Sequence, residues 1–140
     1  RLCSLEELLK QADIVSLHAP NTPDTYDLIN ARTLAMMKPG SVVVNTARGS
    51  LIDEDALYEA LKSGHLLGAG LDVFKVEPLP ADSPLVGLEN IVLAPHMAGL
   101  DHESVEAMGR IAAQCIVEMY QGRWPEACVV NRELRPKWKW

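Results

Sequence analysis

The segment Ser41-Val42-Val43-Val44-Asn45 restricts the possible folds more than any other, because its three consecutive valines leave it no polar face. A strand that is apolar on both sides belongs inside a parallel sheet covered on two sides. The rest of the chain supplies elements at matching intervals. Ser4 and Glu7 form a capping box for a short amphipathic helix to about residue 12, and Ile14-Val15-Ser16-Leu17 reads as a buried strand. Residues 31 to 37 read as a helix capped by Asn30 and stopped at Lys38-Pro39-Gly40. A helix from near Asp53 to Ser63-Gly64 follows the valine strand. Strands at 68–73 and 91–94 come next, and then a helix from about Asp101 to Tyr120. Its inward stripe is Val105, Met108, Ala112, Cys115, Ile116 and Met119, with Gly122 as the stop. Strands alternating with helices at this spacing predict right-handed β-α-β units and a parallel, doubly wound α/β sheet.

Composition excludes several classes. Of 140 residues, 48% are hydrophobic and 23% charged, with only 9 Gly and 9 Pro, which is globular and neither disordered nor collagen-like. No run reaches the roughly 18 apolar residues a membrane span needs. The start, Arg1-Leu2-Cys3-Ser4-Leu5-Glu6-Glu7, carries no apolar leader, so a cytoplasmic origin is the expectation. Thirteen basic against nineteen acidic residues give a net charge of −6 without a basic stripe, which disfavours nucleic acid as a partner. Cys3, Cys115 and Cys128 are far apart in sequence and lack C-x-x-C spacing, so they read as reduced, mostly packing residues. The four histidines contain no i,i+4 pair, and no metal is implied.

A parallel sheet of this kind places its ligand at the carboxyl ends of its strands. Polar residues collect there: His18 after the first strand, Thr46-Ala47-Arg48 after the second, Asp72 and Glu77 on or after the third, and His96 after the fourth. Taken singly, each has an ordinary structural reading: Arg48 a surface cation, Asp72 a turn acceptor, Glu77 a solvated charge, His96 a satisfied loop histidine. Taken together, an arginine, an acid and a histidine are the set that binds a carboxylate and moves a proton.

The order and local context of four segments are distinctive. His18-Ala19-Pro20 with Thr25, Val44 to Gly49, Leu71 to Phe74 with Glu77-Pro78, and Ala94 to Gly99 closely resemble the nucleotide-binding domain of the D-isomer-specific 2-hydroxyacid dehydrogenases, over roughly residues 4 to 122. The resemblance implies a Rossmann-like fold and reversible hydride transfer between NAD, with NADP not excluded, and the C2 carbon of a small 2-oxo or D-2-hydroxy acid. It implies catalytic roles for three residues. Arg48 orients the substrate and polarises its carbonyl, His96 acts as acid and base, and Glu77 pairs with the other imidazole nitrogen. Ala19 and Pro20 would lie beside the adenosine, Thr25 near the phosphates or ribose, and Thr46, Ala47 and Arg48 at the nicotinamide ribose. Asp72 would accept from the carboxamide, and the backbone from His96 to Gly99 would close over the ring. A homodimer is implied for the intact enzyme.

The match also departs from the family. No G-x-G-x-x-G occurs; Gly68-Ala69-Gly70 begins like one, but position 73 is Val, and the segment runs into a strand. The acidic residue for the adenine ribose is missing too. The expectation is a Rossmann-like sheet lacking its first β-α-β unit and glycine loop, the carboxyl-terminal part of a longer enzyme. Residues 1–121 would then belong to the NAD-binding domain, and 122–140 would be a tail returning to the substrate domain with Trp124, Trp138 and Trp140 exposed. This chain alone is expected to bind NAD weakly or not at all and not to turn over. Leu100-Asp101 replaces the small residue and Thr or Ser common after the family's glycine, so the substrate stays open among glyoxylate, hydroxypyruvate, phosphoglycerate, lactate and formate types. Asp101 also reads as a helix cap. Two other readings stand beside the enzyme: an NAD(H)-sensing interaction module like the family's corepressors, and a free-standing structural fragment.

Overall fold

The structure is a computed structural model that describes residues 1–126 and 128–139. The chain divides into two compact units, Arg1–Ala98 and Gly99–Trp140.

In the first unit, α1 (Leu5–Gln11) begins where Ser4 accepts the Glu7 amide, and β1 (Ile14–Leu17) follows it. Next come α2 (Ala31–Leu34), β2 (Ser41–Asn45), α3 (Glu54–Lys62), β3 (Leu66–Leu71) and β4 (Ile91–Leu93). Asn30 caps α2, accepting from Arg32 and Thr33, and Asp53 caps α3, accepting from Ala56. The four strands form one wholly parallel sheet in the order β1-β2-β3-β4. Register brings Leu17 beside Asn45, Asn45 beside Leu71, and Leu71 beside Leu93, so the strands stop at a common level.

Several boundaries differ from those expected. Helix α2 ends at Leu34, not 37, because Met36 and Met37 bond back three residues and the chain then meets Pro39. Strand β3 runs from Leu66 to Leu71, not 68–73: Leu66 pairs with Ser41 and, after a register shift, Gly68 with Val42. Asp72 therefore lies just past the strand. Strand β4 stops at Leu93, one residue before the expected end.

The valine strand is not equally covered on its two faces. Val43 is fully buried and packs in one core with Leu9 of α1, Leu34 of α2, and Leu57 and Leu61 of α3. Val42 and Val44 are half-buried on the opposite face, where Ile14 and Val92 are exposed. All three helices lie on one side: α2 and α3 as successive parallel crossovers of one hand require, and α1 through Leu9 in the same core. No helix of the first unit lies over the other face of the sheet.

The second unit consists of α4 (His102–Tyr120), capped by Asp101 accepting from Ser104, and a tail ending in a 3₁₀ segment at Arg132–Lys137. The stripe of α4 was expected to point inward, yet none of its residues is buried; a lone helix and a short tail cannot enclose it. Trp124 and Trp138 are half-buried rather than exposed, because their rings meet edge to face with centroids 5.7 Å apart. Trp140 lies outside the described residues. Nor do the cysteines pack in a core: Cys3 and Cys128 are exposed and Cys115 is half-buried. A hydrogen bond with Cys128, helped by burial, pushes the Cys115 thiol up. No helix among the described residues is long and apolar enough to cross a membrane.

One-sided burial sets a stability contrast. Val43→Ala should cost about 2 kcal/mol by lost burial and cavity formation, whereas Val92→Ala on the opposite face should stay within about 0.5 kcal/mol. Urea unfolding measures both; equal losses would contradict the one-faced core.

Candidate active site

Beyond the strand ends, the ladder of parallel pairing continues for one more step. The Asp72 amide donates to the Asn45 carbonyl at 2.9 Å, and the Ala94 amide to the Leu71 carbonyl at 2.9 Å. The loops after β2, β3 and β4 therefore leave the sheet side by side.

The loop after β2 is shaped by Asn45, a fully buried side chain whose Oδ1 accepts the Ala47 amide and whose Nδ2 donates to the Arg48 carbonyl. This side chain folds Thr46-Ala47-Arg48 into a tight turn and leaves the Arg48 side chain exposed, its Nη1 donating to the Ala47 carbonyl at 2.6 Å. The next residue, Gly49, presses on the loop after β3 so closely that an added Cβ would lie 1.9 Å from the Phe74 carbonyl carbon. Only glycine fits there.

Two carboxylates on the loop after β3, Asp72 and Glu77, have different surroundings. Asp72 is 5% exposed, and its two oxygens accept the amides of Met97 and Ala98 at 2.7 and 2.8 Å. Burial pushes its pKa up, but those two amides and the nearby His96 outweigh it and hold the carboxyl below its ordinary value. Glu77 takes the Phe74 amide on Oε1 at 2.9 Å and meets His96 Nδ1 with Oε2 at 2.7 Å. The hydrogen bond to His96, followed by the one from Phe74, draws the Glu77 pKa down. The same loop is tied outward by Lys75, whose amide donates to Glu54 and whose Nζ meets Asp27 at 2.7 Å. Desolvation lowers the Lys75 pKa, yet Asp27 more than compensates and the ammonium is stabilised.

His96 itself has φ +57°, a left-handed conformation that costs a non-glycine residue about 1–2 kcal/mol. With Nδ1 engaged by Glu77, its Nε2 is the nitrogen left to a ligand. The ring borders a cleft of about 540 Å³ whose other walls include Phe74, Leu79, Leu93 and Pro95. An imidazole backed by a carboxylate on an apolar wall can give and take a proton.

The remaining candidates are distributed as follows. Thr46 and Asp72 line a second cleft of about 360 Å³ together with Gly70, Ala94 and Ala98. Ala19, Pro20, Ala47 and Arg48 line a third, of about 450 Å³, with His18. Arg48 and His96 thus border different clefts. Thr25 is spent on its own turn, its Oγ1 donating to the Pro20 carbonyl at 2.6 Å and accepting the Thr22 amide. Gly99 is the first residue of the second unit. Sequence reasoning missed Asn45 and Gly49. A lone asparagine closing an apolar strand was a usable signal for the first; nothing local marked the second.

The close approach at Gly49 predicts that Gly49→Ala costs about 1–3 kcal/mol through overpacking, while Gly87→Ala, with open space around it, changes stability by no more than about 0.5 kcal/mol. The Glu77 pair predicts a pH effect. A carboxyl whose pKa is depressed on folding stabilises the fold above its ordinary 4.5 and loses that contribution as pH falls through the depressed value. Glu77→Gln should therefore flatten the acid-side fall in stability measured by urea unfolding between pH 7 and pH 3. An unaltered slope would contradict the pair.

Residues 1–98 match the family described as D-isomer specific 2-hydroxyacid dehydrogenase, NAD binding domain. The glyoxylate reductase of Korarchaeum cryptofilum is 47% identical over 130 residues, which is 93% of this chain and 39% of that protein. Glyoxylate/hydroxypyruvate reductase B of Pectobacterium carotovorum is 43% identical over 135 residues, 96% of this chain and 42% of its own length. Among solved structures, the TT0316 protein of Thermus thermophilus superposes with a TM-score of 0.84 at 50% identity, over 88% of this chain and 39% of that one. The chain thus spans about two fifths of the length of these relatives, and its sheet is of the Rossmann type they share. This chain, with its parallel strand-end site, belongs to the NAD-binding domain family of the D-isomer specific 2-hydroxyacid dehydrogenases.

Proposed function

We propose that the intact protein containing this chain transfers a hydride between a nicotinamide dinucleotide and C2 of a small 2-oxo or D-2-hydroxy acid. The observation that carries the reading is the 2.7 Å hydrogen bond from His96 Nδ1 to Glu77 Oε2 at the edge of an apolar cleft. The likeness to glyoxylate and glyoxylate/hydroxypyruvate reductases supports a short 2-oxo acid as substrate.

In this reading His96 Nε2 gives its proton to the carbonyl oxygen during reduction and takes it back during oxidation. Glu77 accepts from Nδ1 and so fixes the tautomer. Arg48 presents a planar fork to the substrate carboxylate, which orients the acid and stabilises charge building on the carbonyl oxygen. Apolar walls beside His96 exclude water from the reacting carbon.

The residues at the strand ends fit the nicotinamide half of the cofactor. Gly70, Ala94 and Ala98 offer small surfaces for a flat ring, and each Asp72 oxygen keeps a second lone pair for an amide donor such as the carboxamide. When bound, the cofactor supplies or accepts the hydride. Thr46, Ala47 and Arg48 would meet its ribose, Ala19, Pro20 and Thr25 its adenosine side, and His96 to Gly99 would close over the ring. This sequence has no G-x-G-x-x-G cradle for the pyrophosphate, so the 140-residue chain by itself should bind NADH weakly and should not turn over. We assign residues 1–121 to the NAD-binding domain and 122–140 to a segment returning to a substrate domain. A cytoplasmic homodimer is the proposed state of the intact protein, by likeness to the family.

The test is NADH oxidation by the intact protein with glyoxylate, hydroxypyruvate and lactate-type 2-oxo acids. His96→Ala should lower kcat about 100- to 10,000-fold, and Arg48→Ala should raise KM and lower kcat together. Wild-type kinetics in His96→Ala would overturn the reading. Calorimetry showing micromolar NADH binding by the 140-residue chain would overturn the expectation for the chain alone.

A further inference from the structure

We propose that Asp72 is a positioning residue for His96: its buried carboxylate holds the backbone after His96 in the left-handed turn that aims the imidazole at Glu77. The inference rests on the acid–base role given to His96 above and adds to it a residue that acts through the backbone.

Three observations converge. His96 is one of only two non-glycine residues with positive φ among those described. The two amides directly after it, Met97 and Ala98, both end on Asp72, one on each carboxylate oxygen. Two successive amides that follow a left-handed residue and end on one carboxylate make an anion nest. Here the anion is a side chain of the same protein, nearly fully buried, and its own amide is fixed to the Asn45 carbonyl. The charge-assisted bonds are the strong kind, and they offset the intrinsic preference of His96 for a right-handed conformation.

Asp72 and Glu77 therefore divide the work on one short segment. Both stand on the loop after β3; Asp72 grips the backbone at Met97 and Ala98, while Glu77 grips the His96 ring. Without the first grip, the backbone at His96 is free to leave the left-handed well, and Nδ1 turns away from Glu77. Asparagine at position 72 cannot replace the carboxylate, since its amide nitrogen would set one donor against another.

NMR of the uniformly labelled 140-residue chain tests this. In Asp72→Asn, hydrogen exchange at the Met97 and Ala98 amides should accelerate at least tenfold while the Val43 and Ala69 amides keep wild-type protection. The His96 Nδ1 nitrogen shift should move toward that of a free imidazole. Glu77→Gln should change the Nδ1 shift and leave the Met97 and Ala98 amides protected, a split that general destabilisation does not produce. A folded Asp72→Asn chain with unchanged exchange at 97 and 98, or with an unchanged Nδ1 shift, overturns the proposal. Should that variant not fold, scalar couplings across the hydrogen bonds from the Met97 and Ala98 amides to the Asp72 carboxyl carbon in the wild-type chain decide instead: present they support the clamp, absent they overturn it. These readouts need no turnover. Retained activity in His96→Ala of the intact protein would remove the catalytic reading and leave the clamp standing, whereas unchanged amides in Asp72→Asn would do the reverse.

Discussion

Everything at the site depends on the parallel pairing that brings β2, β3 and β4 to an end at one level. Because Asn45 registers with Leu71 and Leu71 with Leu93, the loops after the three strands start from neighbouring backbone positions. The amide of Asp72 on Asn45 and that of Ala94 on Leu71 carry the ladder into the loops, so their directions are set before any side chain acts. Sheet pairing supplies the coarse position, and a second set of bonds refines it. Asn45 folds the loop of Arg48, Asp72 fixes the backbone after His96, and Glu77 fixes the ring of His96. Two of these three anchors are buried, where a hydrogen bond to a charged or amide group is screened least.

Burial is lopsided for the same topological reason. Crossovers of one hand put α2 and α3 on one face, α1 packs into the same core, and Val43, Leu57, Leu66 and Leu71 meet there. The opposite face carries small and β-branched residues with no helix of the first unit over it. The loops of the site are thereby mounted on a sheet held firmly from one side. Glu54 at the start of α3 reaches the Lys75 amide, so the helical layer also steadies the loop bearing Glu77.

Much of this was legible from local chemistry and much was not. The ends of β1 and β2 could be read because Asp13 and Pro20 bracket one and Pro39-Gly40 precedes the other, and the caps at Ser4, Asp53 and Asp101 act within four residues. The limits of β3 escaped because a register shift at Ser41 and Val42, on the neighbouring strand, moves its pairing. The candidate residues were visible as polar positions after apolar strands, but their division of labour was not. Asp72 meets amides 25 and 26 positions away, and Gly49 is constrained by Phe74 across another loop. The stripe on α4 was plain in the sequence; what it packs against is no property of the helix itself.

The central claim is that side chains from separate strand ends serve one small anion. The most direct measurement is a titration of the intact protein, with NADH bound, by oxamate, followed through the Arg48 guanidinium and His96 imidazole nitrogen resonances. The account predicts that both respond along a single saturation curve with one Kd. A response at only one of them, or two curves with different midpoints, would contradict it.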